Sequence, residues 1–223
     1  MTIGFRVKLD RPRPNPELVE AFSRIPVANV SDNMSRMFAG APALRPLDPK
    51  MRLAGVALTV RTRPGDNLMI HKAIDMAGEG DVIVVDAGGD LTNSLVGEIM
   101  LRLSERRKIA GWVIDGAVRD FDALSRGIPV FARGVTHRGP YKDGPGEINY
   151  AVSVGGMLVN AGDIIIGDCD GVLAIPPEGR EELLRNAQAQ QAREADILRQ
   201  IAEGTVDRSW IDAALKAKGC TFE

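Results

Sequence analysis

Apolar and polar residues along this chain follow two rhythms. The stretches "GVALTVRT" (55–62), "GDVIVVDAGGD" (80–90), "GWVIDG" (111–116) and "IPVFARG" (128–134) are short, β-branched apolar runs bounded by glycine or acidic residues. Such runs predict buried strands. Between them, "DNLMIHKAIDMA" (66–77) and "LVGEIMLRLSERRK" (95–108) space their apolar residues as one face of a helix, with Asp66 or Asn67 placed to cap the first. "RDFDALSRG" (119–127) predicts a further helix closed by Gly127. Two more helices are expected earlier, over "PELVEAFSRI" (16–25) and "NVSDNMSRMF" (29–38), the second capped by Ser31 or Asp32. Alternation of this kind argues for an α/β fold with parallel strands.

The pattern changes after residue 136. "HRGPYKDGPGEIN" (137–149) reads as a loop, and 150–176 as strand and turn, with "DCDG" joining two antiparallel strands. A long helix is expected over 181–204 and a short one over 209–219. The polar, proline-rich residues 1–16 predict an extended arm, because proline removes donors and restricts its neighbours. The expected organisation is one domain over 1–223, with the arm at 1–16 and a helical tail at 178–219.

Composition narrows the function classes. At 223 residues and 44% hydrophobic content the chain is long enough for one sizeable core. Its formal net charge of −2 implies no general affinity for nucleic acid or for an anionic membrane. The basic run "RLSERRK" (102–108) reads as the end of a solvated helix face. Cys169 and Cys220 lie far apart and outside any CxxC pattern, so neither a disulfide framework nor a zinc site is expected, and a reducing cytoplasm is the default location. The first residues carry no apolar leader pattern, and no run of about 18 apolar residues predicts a membrane span.

Several acids and glycines fall at strand ends: Asp86, Gly88, Gly89, Asp115, Gly116, Asp168 and Asp170. Taken singly, each suits a turn. Glu98 with Arg119 and Asp120 is the sharper combination. Glu98 sits in the first turn of its helix, where free amides and the dipole favour an anion. Gly97 weakens a helix start unless the backbone must be approached closely, which points to a small anion resting on the neighbouring amides. Arg119 offers a planar fork for a carboxylate, and Asp120 a hard oxygen donor for Mg²⁺ or Mn²⁺. The same pair also reads as a helix start with a local ion pair.

The segments "VANVSDNM" (27–34), "GVALTV" (55–60), "HKAIDMAGEGDVIVVD" (71–86), "GEIM" (97–100), "GWVIDGAVRD" (111–120), "PVFARG" (129–134) and "GDIIIGDCDGVLAIP" (162–176) resemble one known family. It joins the class II 4-hydroxy-4-methyl-2-oxoglutarate (or 4-carboxy-4-hydroxy-2-oxoadipate) aldolases with the regulators of ribonuclease activity A. The resemblance covers roughly residues 20–205. The aldolase branch is marked by an acid, twenty intervening residues and Arg-Asp. Here twenty residues separate Glu98 from Arg119, with glutamate where the aldolases carry aspartate.

The resemblance implies a swivelling β/β/α three-layer fold and a homotrimer or homohexamer with sites between subunits. It implies that Asp120 binds Mg²⁺ or Mn²⁺, that Glu98 orients metal-bound water or relays a proton, and that Arg119 holds the carboxylate and keto oxygens of a small 2-oxo acid. The amides of Ile99 and Met100, beside Gly97, are then the carboxylate cradle. A further acid is expected from a neighbouring subunit's C-terminal helix, with Glu194 the candidate. The implied activity is cleavage of a 4-hydroxy-2-oxo diacid to pyruvate and a second oxo acid, with oxaloacetate decarboxylation through the same enolate.

Other chemistries find less support. A Schiff-base mechanism needs a buried lysine, and Lys72, beside His71 on an amphipathic helix, reads as solvated; Lys142 is the other lysine weighed. His71 and His137 are too few for a zinc site, and His137 reads as solvent-facing. Cys169 has no base near it in sequence, and "DAGGD" is too short a hint for a methyltransferase. The rival from another class is a non-enzymatic protein that binds and modulates a ribonuclease.

Overall fold

The chain begins with a strand and two helices: β1 (Phe5–Val7), α1 (Pro16–Ser23) and α2 (Val27–Asp32). An alternating unit follows: β2 (Arg45–Pro46), β3 (Leu53–Thr62), α3 (Leu68–Met76), β4 (Asp81–Asp86), β5 (Ser94–Val96), α4 (Glu98–Arg106), β6 (Gly111–Val118), α5 (Phe121–Leu124) and β7 (Val130–Val135). Five short strands come next: β8 (Gly146–Ile148), β9 (Val152–Val154), β10 (Met157–Val159), β11 (Ile164–Asp168) and β12 (Gly171–Ile175). Two helices, α6 (Arg180–Glu203) and α7 (Trp210–Ala217), end it. This computed structural model describes residues 3–222, so the first two residues of the expected arm lie outside the described residues.

Strands β3, β4, β6 and β7 are parallel neighbours, with β5 parallel to the far end of β6. Their near-continuous apolar runs have a direct cause: both faces of the sheet are covered. Leu58, Val60, Ile83, Val85, Trp112 and Ile114 point to one face and pack on α3 and α4. Ala57, Val82, Val84 and Val113 point to the other and pack against β9, β10 and β12. The β11–β12 hairpin joins β3 antiparallel and turns its outer face, Ile164, Ile166, Leu173 and Ile175, to α1, α2 and α6. The α/β expectation therefore holds, as a β/β/α stack with outer helices. Among the described residues, no helix is long and apolar enough to cross a membrane.

Several expected boundaries move. The turn expected at Asp115 and Gly116 is strand: β6 runs unbroken in burial to Val118, with an irregular register against β7 between Ile114 and Ala117. The helix expected over 119–127 shrinks to the single turn of α5. Leu95 and Val96 belong to β5, since its ladder to β6 claims them before α4 begins. The 137–149 loop contains β8, which pairs antiparallel with β3. The second helix ends at Asp32, because Ser35 and Arg36 take positive φ. Cys169 and Cys220 are exposed and unbridged.

The N-terminal arm is tied down along its length. β1 pairs with β8, and Arg11 and Arg13 both reach the fully buried Asp81. Glu147 on β8 accepts from Arg6 Nε (2.6 Å), the Gly4 amide (3.3 Å) and Arg61 Nη1 (3.1 Å). Burial pushes the Glu147 carboxyl up, but those donors outweigh it and hold it below the usual carboxylate range. A depressed folded pKa gives stability that is present above the unfolded value, about 4.3, and lost as pH falls through the folded value. Denaturant midpoints of the wild type are therefore expected to fall as pH drops below about 4.3. Glu147→Gln should lower stability at pH 7 and flatten that acid limb; an unchanged limb contradicts this assignment.

Candidate functional site

The site forms where β5 is laid beside the end of β6. The Arg119 amide donates to Val96 O (2.9 Å), so β5 and the residues after β6 are locked together. Gly97 then bridges β5 to α4 in extended backbone (φ −143°, ψ −171°). Asp120 sits in the left-handed region (φ 54°, ψ 45°) as the cap of α5, a conformation aspartate tolerates better than most residues. This bend brings Arg119 and Asp120 together over the side of Gly97 that a Cβ would occupy.

Asp120 Oδ2 accepts a hydrogen bond from the Glu98 amide (2.9 Å). The anion at the start of α4 is thus the protein's own carboxylate, which corrects the reading of Gly97 as a cradle for an outside anion on that amide. Arg119 Nε lies 3.7 Å from the same Oδ2. A Cβ on Gly97 would stand 2.5 Å from Asp120 Oδ2 and 3.0 Å from Arg119 Nε, so only glycine lets both side chains cross here. The Met100 amide donates to Gly97 O (3.1 Å), which spends it inside the turn. Among the described residues the Ile99 amide has no such backbone acceptor, so it stays an unpaired donor of this helix start. Glu98 points outward and pairs with Arg102 (3.1 Å), whose guanidinium is pushed up, first by Glu105 and then by Glu98.

On the Arg119 side lies a cleft of about 280 Å³. Its walls include Asn67 and His71 from α3, Ser94 from β5, Arg119, and Lys142 from the loop before β8. Among the described residues two fixed cations, Arg119 and Lys142, line it and no carboxylate does. His71 is pushed below the ordinary imidazole range, first by burial and then by Lys142, against a smaller upward pull from Asp75. On the Asp120 side is an open shelf carrying Glu98, Ile99, Arg102, Leu103, Arg106 and Asp120. Ile99 borders both, so the cationic cleft meets, at Ile99, a shelf whose two carboxylates stand beside two arginines.

Asn67, His71 and Lys142 are the residues that reading the sequence did not place. Asn67 and His71 are one helical turn apart, at the edge of the α3 face that buries Met69, Ile70, Ala73 and Ile74. A polar pair at that spacing among apolar residues was the available signal. Lys142 carries no local signal; it arrives through its loop. His137 is exposed, as expected.

Glu194 does not reach the cleft within its own chain. On α6 it accepts from Asn29 Nδ2 (2.6 Å) and Gln190 Nε2 (2.9 Å). Gln190 first, then Asn29, hold its carboxyl below the usual range. A tight group of metal-ligating types occurs elsewhere, at Asp168, Cys169 and Asp170 in the β11–β12 turn. Asp168 is spent there as a structural cap, accepting from the Val27 amide (3.0 Å) and the Asp170 amide (2.9 Å).

The donor chemistry of Asp120 and of the outward carboxylate of Glu98 suits a hard divalent cation. Both are oxygen donors open to water, and Mg²⁺ characteristically keeps several waters beside one or two carboxylates.

Comparison with known proteins gives the family of the chain. The family described as "RraA-like: Aldolase/RraA" matches residues 27–174, which include Gly97, Glu98, Arg119 and Asp120. A protein of Halalkalibacterium halodurans named "Putative 4-hydroxy-4-methyl-2-oxoglutarate aldolase" is 37% identical over 191 residues, covering 85% of this chain and 91% of that one. The solved RNA-processing inhibitor RraA from Thermus thermophilis is 31% identical, with a TM-score of 0.63 over 69% of this chain and 95% of that one. An uncharacterized protein of Pseudomonas syringae shares the fold at a TM-score of 0.79 and 24% identity, over 88% of this chain and 93% of that one. The chain belongs to the RraA-like family of aldolases and RraA proteins.

Proposed function

We propose that this chain is a divalent-metal-dependent aldolase. It cleaves a 4-hydroxy-2-oxo diacid such as 4-hydroxy-4-methyl-2-oxoglutarate to pyruvate and a second oxo acid, with oxaloacetate decarboxylation as a side activity. The observation that carries this reading is the meeting, at Ile99, of a cleft lined by Arg119 and Lys142 with a shelf that carries the carboxylates of Glu98 and Asp120 beside Arg102 and Arg106. A dianionic substrate needs two cationic contacts, and a reacting keto acid needs one of them beside the metal ligand.

In this reading Asp120 would hold Mg²⁺ or Mn²⁺, and Glu98 would accept hydrogen bonds from water beside it. The ion, when bound, supplies Lewis acidity toward the keto oxygen of a 2-oxo acid. Arg119 binds the 2-oxo acid end and places positive charge where it develops as the C3–C4 bond breaks. The Ile99 amide donates to the same carboxylate, with Met100 shaping the wall behind it. Lys142, with Asn67 and His71, receives the second carboxylate. The proton of the C4 hydroxyl leaves through water held by Glu98, C4 departs as a carbonyl, and C3, which keeps the electron pair of the broken bond as the enolate of pyruvate, takes a proton from water.

The active form in this proposal is a homotrimer or homohexamer, in which Glu194 of the partner subunit completes the site. Ile197, Leu198 and Ile201 are exposed on α6 beside it, an apolar stripe suited to contact between copies. The neutral-to-acidic net charge and the small cleft favour a small-molecule substrate over nucleic acid or membrane.

The test is a panel of 4-hydroxy-2-oxo diacids and oxaloacetate, assayed for pyruvate with Mg²⁺ or Mn²⁺ and again with EDTA. Metal-dependent pyruvate release that EDTA abolishes is the expected result. Absence of metal-dependent cleavage across the panel, together with ribonuclease modulation that tolerates Glu98→Ala, would establish the ribonuclease-binding reading instead.

A further inference from the structure

The two walls of the cleft come from distant parts of the chain. Asn67 and His71 stand on α3, whereas Gly139, Pro140 and Lys142 belong to an irregular loop rich in glycine and proline. One side chain is bonded to both. Asp66 is fully buried and does not line the cleft. Its Oδ1 accepts from the Leu68 amide (2.9 Å) at the start of α3. Its Oδ2 accepts from the Asp143 amide (2.7 Å) and the Gly144 amide (3.0 Å), directly after Lys142. Arg63 Nη2 approaches the same oxygen (3.3 Å). The backbone adds two ties nearby, Asn67 N to Tyr141 O (3.0 Å) and Tyr141 N to Gly65 O (2.8 Å).

We propose that Asp66 is the positioning residue of the cleft. Its carboxylate sets the gap between Lys142 and the Asn67–His71 pair, and so the affinity for the substrate's second carboxylate. The role in substrate affinity rests on the aldolase reading above; the role in geometry does not.

The chemistry of the group supports this. An ionised carboxylate offers acceptors on both oxygens, so one side chain serves an amide on each wall. Burial pushes the Asp66 carboxyl up, but the amides of Leu68, Asp143 and Gly144, with Arg63, outweigh it and keep it below the usual range. It therefore stays ionised near neutral pH. Asparagine at this position has one acceptor oxygen and presents an NH₂ group on the other side. It must forfeit either the helix amide or the loop amides.

The test uses Asp66→Asn, Lys142→Ala and the double variant. The first readout is independent of activity. His71 and His137 are the only histidines, so each imidazole is resolved in an NMR titration. Burial lowers His71 most; the charged groups acting on it are Lys142, which lowers it further, and Asp75, which raises it. Asp66→Asn is expected to raise the His71 pKa toward its ordinary value, as Lys142→Ala does, with no further rise in the double variant. The second readout is kinetic. With a 4-hydroxy-2-oxo diacid, Asp66→Asn should raise KM by about tenfold with a smaller change in kcat. With 4-hydroxy-2-oxopentanoate, which lacks the second carboxylate, KM should move little.

An unmoved His71 pKa, or effects of the two substitutions that simply multiply, would overturn the proposal. A wild type that cleaves neither substrate while His71 still shifts in Asp66→Asn would overturn the aldolase reading and leave the positioning role standing. If Asp66→Asn does not fold, Asp66→Glu, which keeps the charge on a longer arm, goes through the same comparison.

Discussion

Gly97→Ala is expected to lower kcat/KM by about a hundredfold or more while leaving the fold nearly as stable. Any residue can adopt the extended backbone at this position, so alanine meets no strain in φ or ψ. What it meets is the site itself: the new methyl would lie 2.5 Å from Asp120 Oδ2, 3.0 Å from Arg119 Nε and 3.1 Å from Arg119 Cγ. Both side chains are partly exposed and can swing outward, which relieves the clash at small cost to folding. The same swing removes the metal ligand and the arginine fork from their places, and displacements of about 1 Å at a reacting centre cost on the order of a hundredfold. Steady-state kinetics on the diacid panel, paired with a denaturation curve, separate the two effects. Wild-type kcat/KM in Gly97→Ala would show that Arg119 and Asp120 do not flank the reacting atoms.

Asp120→Asn should be equally selective, for a different reason. Asparagine matches aspartate in shape, accepts the left-handed backbone, and can still take the hydrogen bond from the Glu98 amide. Stability is therefore expected to stay within about 1 kcal/mol of wild type, the scale of one helix cap. The lost charge is what a divalent ion requires. Activity should fall by on the order of 10²–10³ and the Mg²⁺ concentration for half-activity should rise. Asp120→Ala adds loss of the cap and is expected to cost about 1 kcal/mol more. The measurement is kcat/KM against Mg²⁺ concentration, with thermal melts of both variants. Full metal-dependent activity in Asp120→Asn would remove Asp120 from the metal site.

Much of the fold was legible because burial writes itself locally. β4 reads as an unbroken apolar run, since both of its faces are covered. The β11–β12 hairpin showed in "GDIIIGDCDGVLAIP", where the acidic turn separates two apolar strands. Where prediction failed, a long-range ladder had overruled local spacing. Leu95 and Val96 look helical but are claimed by β6, and β6 keeps Asp115 and Gly116 because Asp115 is buried against Arg133 and the Gly155 amide (2.7 Å).

The sequence by itself determined the layered α/β class, the family, and the Glu98, Arg119, Asp120 combination, because these depend on residue types at fixed spacing along the chain. Only the tertiary structure decided what that combination touches. Asp120 caps the helix of Glu98 from twenty-two residues away. Gly97 is required by side chains that cross it, and Lys142 meets His71 through a loop held by Asp66. These are contacts between segments with no shared periodicity. Their partners are set by strand register and by one buried carboxylate, quantities that exist only once the sheet has closed.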